Sequence, residues 1–122
     1  MTESEIAAAL NQALPDRAFL MLVAQGTPEP YLVFQRIWQG PVNTICGYQQ
    51  ADQVRYRIDS YAKTHKDALA NMETAIAALR ACPDPPLVEN EQDLYEQDTR
   101  LHRTMIDITT WTQPPQPEEV SQ

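Results

Sequence analysis

The chain has 122 residues, ordinary apolar content and a formal net charge of −8, which suits one soluble domain with one core. That acidity argues against a nucleic-acid binder that works by neutralising phosphates. It is compatible with a surface past which DNA slides without sticking, because like charges repel.

No stretch approaches the ~20 apolar residues needed to span a bilayer. The start, MTESEIAAAL, lacks the basic head and apolar centre of a secretory leader. The chain is therefore expected to remain in the cytoplasm where it is made. Cys46 and Cys82 read as free thiols without a metal-binding spacing.

Residues 2–14 predict a helix. Thr2 followed by Glu5 is a capping-box pattern. Ile6, Ala9, Leu10, Ala13 and Leu14 recur at helical spacing, and Pro15 ends the run. Residues 19–23 are apolar and short, either a small strand or a packed connector. Residues 25–30 contain Gly26, Pro28 and Pro30 and predict a loop.

Residues 31–38 predict a strand rich in aromatic and β-branched side chains. Strict alternation places Leu32, Phe34 and Trp38 on one face, with Arg36 interrupting, and Tyr31, Val33, Gln35 and Ile37 on the other. Gly40-Pro41 is expected to break this strand. Residues 42–46 are a candidate short strand, and residues 47–52 a loop.

Residues 53–61 alternate cleanly. Val54, Tyr56 and Ile58 face one way, and Arg55, Arg57 and Asp59 the other, as in a half-buried strand. Thr64 opens a second helix, with Asp67 three residues later. Ala68, Leu69, Met72, Ala75, Ile76 and Leu79 form its apolar stripe. The helix is expected to end by Cys82, and Pro83, Pro85 and Pro86 stiffen the connector.

Residues 87–95 predict a short strand, residues 96–99 a turn, and residues 101–111 a last strand. Thr104, Ile106, Ile108 and Thr110 share one of its faces; Arg103, Met105, Asp107, Thr109 and Trp111 share the other. The remainder, QPPQPEEVSQ, is proline-rich and acidic, too poor in apolar side chains for a core and expected to be a mobile tail. The elements sum to an α+β domain over residues 1–112, followed by a flexible tail over residues 113–122. The expected architecture is an antiparallel sheet of about four strands with two helices packed on one face.

No constellation points to catalysis. His65 and His102 lie in no motif for a nucleophile, base or metal site and read as surface histidines. The acidic run Glu89, Glu91, Asp93, Glu96 and Asp98 lacks calcium-loop spacing. Ion pairing of Asp98 with Arg100 and Arg103 explains it more simply. Three glycines cannot build a phosphate loop. No cofactor and no metal is expected. Arg36, Arg55 and Arg57 read as a polar patch on the sheet, with Asp59 beside them. The patch is either an exposed sheet face or a subunit interface, where arginine is enriched.

Several segments together carry a family resemblance. They are PYLVFQRIW, then VRYRIDSYAKTHKDALANMETAIAAL, then DLYEQDTRLHRTMIDITTW. The particular features are Pro30-Tyr31 at the strand start, the pattern Arg55, Ile58, Asp59, Tyr61, and a closing piece. That piece runs from Leu94-Tyr95 through Asp98-Thr99 to Trp111. Over residues 3–112 the chain resembles the tail-completion proteins of long-tailed bacteriophages, also called tail terminators or head-to-tail joining proteins.

The resemblance implies an α+β fold and a ring, usually of six subunits, on the head-proximal end of the tail tube. Such a ring stops tube growth and offers a surface to the head connector or stopper protein, with DNA passing through the channel unbound. It implies a virion component made in the bacterial cytoplasm, and it carries no catalytic residue. The rivals are another neck or minor tail component, a small ligand-binding or enzymatic α+β domain, and a nucleic-acid regulator. A ligand-binding or enzymatic domain would need a pocket of converging polar groups, and a regulator is disfavoured by the charge.

Overall fold

The computed structural model describes residues 1–15, 17–20, 28–41 and 52–111. Helix α1 spans Glu3–Ala13. Thr2 Oγ1 accepts from the Glu5 amide at 3.2 Å, and Glu5 Oε1 accepts from the Thr2 amide at 2.7 Å. This is the reciprocal cap read from Thr2 and Glu5, and it satisfies two otherwise orphaned donors. Ile6, Ala9 and Leu10 are buried, the face that the spacing selects.

Strand β1 (Ala18–Leu20) is short and pairs parallel with β2 (Tyr31–Pro41). Strand β3 (Asp52–Ala62) pairs antiparallel with β2. Helix α2 (His65–Arg80) follows, its Thr64 cap accepting from the Asp67 amide at 3.1 Å. Strands β4 (Leu87–Glu96) and β5 (Leu101–Trp111) form a hairpin, and β5 inserts beside β3. The order across the sheet is β1-β2-β3-β5-β4. The domain is thus α+β as expected, but with five strands rather than four, and one parallel pair.

Both helices lie on one face of this sheet. Ile6 and Leu10 from α1 and Met72, Ala75 and Leu79 from α2 share one core with Leu32, Phe34, Val54, Tyr56, Ile58, Ile106 and Ile108. Burying each large aliphatic side chain contributes roughly 1.5–3 kcal/mol. The core thus rests on period-3.6 stripes meeting period-2 faces. Ser60, also fully buried, donates its hydroxyl to the Ala68 carbonyl at 2.9 Å and ties β3 to α2.

Two local features depart from strict alternation. The β2–β3 register shifts between Arg36 and Trp38. This bulge lets two residues of β2 oppose one of β3 and exchanges the faces beyond it. Strand β2 then runs through Gly40 to Pro41, so Gly40-Pro41 does not break it. A second register shift in β4 lies between Glu89 and Gln92, and Asn90 there has φ 53°. Asparagine is among the few side chains that accept this left-handed conformation readily. The candidate strand at residues 42–46 falls outside the described residues, as do Cys46, residues 21–27 and the tail from residue 112 onward.

Candidate assembly interface

The face of the sheet turned away from the helices has no layer of described residues over it. In an antiparallel pair, residues directly opposite share a face. The registers therefore arrange this face in rows across β2, β3, β5 and β4. The first row is Tyr31, Tyr61, Arg103 and Leu94. The second is Val33, Asp59, Met105 and Gln92, and the third is Gln35, Arg57, Asp107 and Glu89. The fourth is Trp38, Arg55, Thr109 and Leu87. Gly40, Gln53 and Trp111 end the face.

In the first three rows both arginines are paired with carboxylates of the same face. Arg57 Nε lies 3.1 Å from Asp107 Oδ1, and Arg103 Nε 3.1 Å from Asp59 Oδ1. Glu96 Oε2 is 3.6 Å from the other side of the Arg103 guanidinium. Tyr31 and Tyr61 stack at 5.1 Å, and Arg103 lies 5.8 Å from the Tyr61 ring centre. Asp59 is only 4% exposed. Burial pushes its carboxyl above the usual range, although the Arg103 and Arg57 charges pull it down. For Arg103, burial acts downward, but the surrounding negative charge led by Asp59 leaves it raised. Burial also pushes the Tyr61 hydroxyl up to about 12.

The fourth and fifth rows are different. Trp38 is 47% exposed, Trp111 42% and Leu87 53%. The Arg55 guanidinium carbon lies 6.0 Å from the Trp38 ring centre, within reach of a cation–π attraction. Arg55 makes no ion pair among the described residues. Ile37, Trp38, Gln53 and Arg55 line a shallow depression of about 270 Å³. Gly40 is needed here because the Trp38 ring lies across it: a Cβ at Gly40 would fall 2.6 Å from Trp38 Cζ2. Exposed aromatic surface with an arginine is the usual composition of protein–protein hot spots.

Of the residues singled out in sequence, Arg55, Arg57 and Asp59 do share this face. Arg36 does not. It pairs with Tyr56 on the helix side and donates to Gln39 Oε1 at 2.9 Å. There it lines a cleft of about 620 Å³ beside Glu3, Glu5 and Asp84. Trp38, placed by strict alternation with Leu32 and Phe34, lies on the open face because of the bulge. Sequence reasoning also passed over Arg103 as the partner of Asp59. The alternation of β5 put it on the correct face, but nothing local pairs residues 44 positions apart.

The histidines meet on the other side of the sheet. His65 Nε2 lies 3.2 Å from Asp93 Oδ2, and Thr104 Oγ1 donates to Asp93 Oδ1 at 3.0 Å. Hydrogen bonding from His65 holds the Asp93 carboxyl below its usual range. Here the carboxylate sits between the hydroxyl and the imidazole, so the imidazole cannot take the hydroxyl proton, and Thr104 is fully buried. Nucleophilic catalysis needs the reverse order. Tyr95 and His102 pack at 4.9 Å.

The acidic run is dispersed rather than clustered. Glu89 accepts from Thr109 at 2.6 Å, Asp93 binds His65, and Glu96 faces Arg103. Among the described residues no group of His, Cys, Asp and Glu is arranged to hold a metal ion. No described helix is long and apolar enough to cross a membrane.

The fold is similar to a chain in a solved structure titled "Virion of native gene transfer agent (GTA) particle". The TM-score is 0.63 at 8% identity, covering 87% of this chain and 90% of that one. No curated protein matches the sequence. The family model described as "Tail completion protein gp17" matches residues 1–113, from the capped first helix to the end of β5, and the chain belongs to that family.

Proposed function

We propose that this protein closes the head-proximal end of the phage tail tube as a ring, stops tube growth and joins the tail to the head connector. Membership of the tail completion family makes it a structural tail or neck protein. The observation that supports the finer reading is the sheet face over which no described residues form a layer. It pairs both of its arginines over three rows and ends in exposed Trp38, Arg55 and Trp111. A surface built this way is suited to burial against another protein.

The proposed partners are further copies of this chain, in a ring of about six by family resemblance, together with the tail tube protein and the head connector or stopper. DNA traverses the channel without specific binding, in keeping with a net charge of −8. The proposed interface residues are Arg55, Arg57 and Asp59, joined by Trp38 and Trp111. Arg36 stands on the opposite face and is proposed as a separate contact. The role is architectural rather than catalytic.

The test is electron microscopy of particles assembled without this gene. Filled heads beside unattached tails of irregular or excessive length are expected. Intact particles with normal tails would refute the reading. Tails of normal length that fail to dock would instead assign the protein to joining alone.

A further inference from the structure

We infer that the outer edge of β4 receives, as a further strand of the sheet, an extended segment of another protein with alternating apolar and basic residues. This goes beyond the proposed ring function and does not depend on it. The surface lies in the plane of the sheet and on its helix side, away from Trp38, Arg55 and Trp111.

Strand β4 ends the sheet order and pairs with β5 on one side. On its other side no strand lies beside it among the described residues. A bulge interrupts β4 at Asn90 and Glu91. Beyond it, residues 92–96 run in unbroken register with residues 101–105. The main-chain donors and acceptors along such an edge are a template for one more strand. An added strand draws affinity from main-chain hydrogen bonds and specificity from pockets that take alternate side chains.

Such a pocket lies beside the bulge. Helix α2 packs chiefly over β3 and β5, which leaves a groove of about 420 Å³ between α2 and β4. Ile76, Ala77 and Val88 line it together with Glu73, Arg80 and Glu91. Its apolar walls suit an aliphatic side chain of the added strand, and its carboxylates suit a basic neighbour.

Charge decides which strand can enter. Strand β4 reads LVENEQDLYE, with Glu89, Glu91, Asp93 and Glu96 and no lysine or arginine. Glu89, Asp93 and Glu96 have partners within the subunit in Thr109, His65 and Arg103. Glu73 and Glu91 have none among the described residues. A second copy of β4 laid on this edge would set its carboxylates against these, and like charges on neighbouring strands are destabilising. The same carboxylates attract lysine or arginine. Bulge and charge together defend the edge against the chain's own β4 and leave it open to a basic strand.

The test uses the full chain, ¹⁵N-labelled, and three short capped peptides. One alternates Lys and Val, one alternates Glu and Val, and one is the Lys-Val peptide N-methylated at every residue, which removes its main-chain donors. The plain Lys-Val peptide is expected to shift the amide signals of residues 92–96 in an NMR spectrum and to slow their hydrogen exchange. The other two peptides should do neither. Glu73 and Glu91 are exposed, so Glu73→Lys with Glu91→Lys should keep the fold and weaken the Lys-Val peptide about tenfold. Unmoved β4 signals at about millimolar Lys-Val peptide, or shifts centred on Trp38 instead, would overturn the proposal. Equal binding of the N-methylated peptide would overturn strand addition, and equal binding of the Glu-Val peptide would overturn selection by charge. Protection of β4 amides that rises with protein concentration alone would overturn the basic partner and assign the edge to a second copy.

Discussion

Asp59 and Arg103 form an ion pair 44 residues apart in sequence, Nε to Oδ1 at 3.1 Å, on the sheet face that the helices leave uncovered. Asp59 is nearly inaccessible there, with no layer of described residues above it. The Arg103 side chain, spread over Tyr61, supplies the roof.

Removing that roof is expected to be more damaging than removing the charge beneath it. Arg103→Ala leaves a buried carboxylate with only Arg57 near, and should destabilise the fold by about 3 kcal/mol. Asp59→Asn should cost less, because Arg103 keeps Glu96. Urea denaturation of the two variants checks the order.

Asp59 also carries a pH signature of definite sign. Its folded carboxyl is raised, so the folded state holds the proton more tightly than the unfolded state. The stabilisation is complete below the unfolded value of 3.8 and is lost as pH rises through the higher folded value. Over that acidic window the native protein should lose stability relative to Asp59→Asn as pH increases. Asp93, whose carboxyl is lowered, acts oppositely and weakly at its exposed site. Thermal melts of both chains from pH 3 upward would reveal the difference, and parallel profiles would refute it.

Thr110 lies on the helix side, buried, and its hydroxyl has no hydrogen-bond partner among the described residues. Valine has nearly the same shape without the unsatisfied group. Thr110→Val is therefore expected to stabilise by about 1 kcal/mol, raising the melting temperature by roughly 4 °C for a domain of this size. Calorimetry decides it.

The β4–β5 turn places Arg100 at φ 58°, a conformation costing a side-chain-bearing residue about 1 kcal/mol. Arg100→Gly relieves that strain but frees the unfolded chain, so a net gain of about 0.5 kcal/mol is expected. A chemical-denaturation midpoint that falls instead would show that the side chain stabilises the turn by other means.

Arg55 and Arg57 should separate assembly from folding. Arg57 is tied to Asp107, so Arg57→Glu sets two carboxylates face to face and loses stability as well. Arg55 has no such tie among the described residues, and Arg55→Glu should change monomer stability by less than about 0.5 kcal/mol. Under the proposed function it should still reduce ring formation and the yield of joined particles. Sedimentation of the purified variant with particle counts tests this. Normal assembly by Arg55→Glu would remove Arg55 from the interface.

Much of the fold was legible because its elements carry simple periods. Val54, Tyr56 and Ile58 in β3, and Thr104, Ile106 and Ile108 in β5, alternate without error. The stripes of α1 and α2 follow their spacing, and Thr2 and Thr64 cap as their positions imply. What failed depended on partners distant in sequence. The bulge between Arg36 and Trp38 is set by how β2 registers against β3, so local alternation sent Trp38 to the wrong face. Arg36 was grouped with Arg55 by charge alone, although alternation sets it with Leu32 and Phe34. The parallel pairing of β1 depends on where the chain re-enters the sheet, which three residues cannot announce. Asp59 was singled out for its neighbours in β3, whereas its partner comes from β5.

The paired arginines on the open face have a mechanical consequence. Under the proposed function, a partner resting on the first three rows meets arginines that already have counter-ions within the same subunit, so it need not supply one at a fixed spot. Such a joint tolerates a few degrees of rocking without stranding a charge. The angular precision then falls to the tryptophan end, where shape rather than charge must fit.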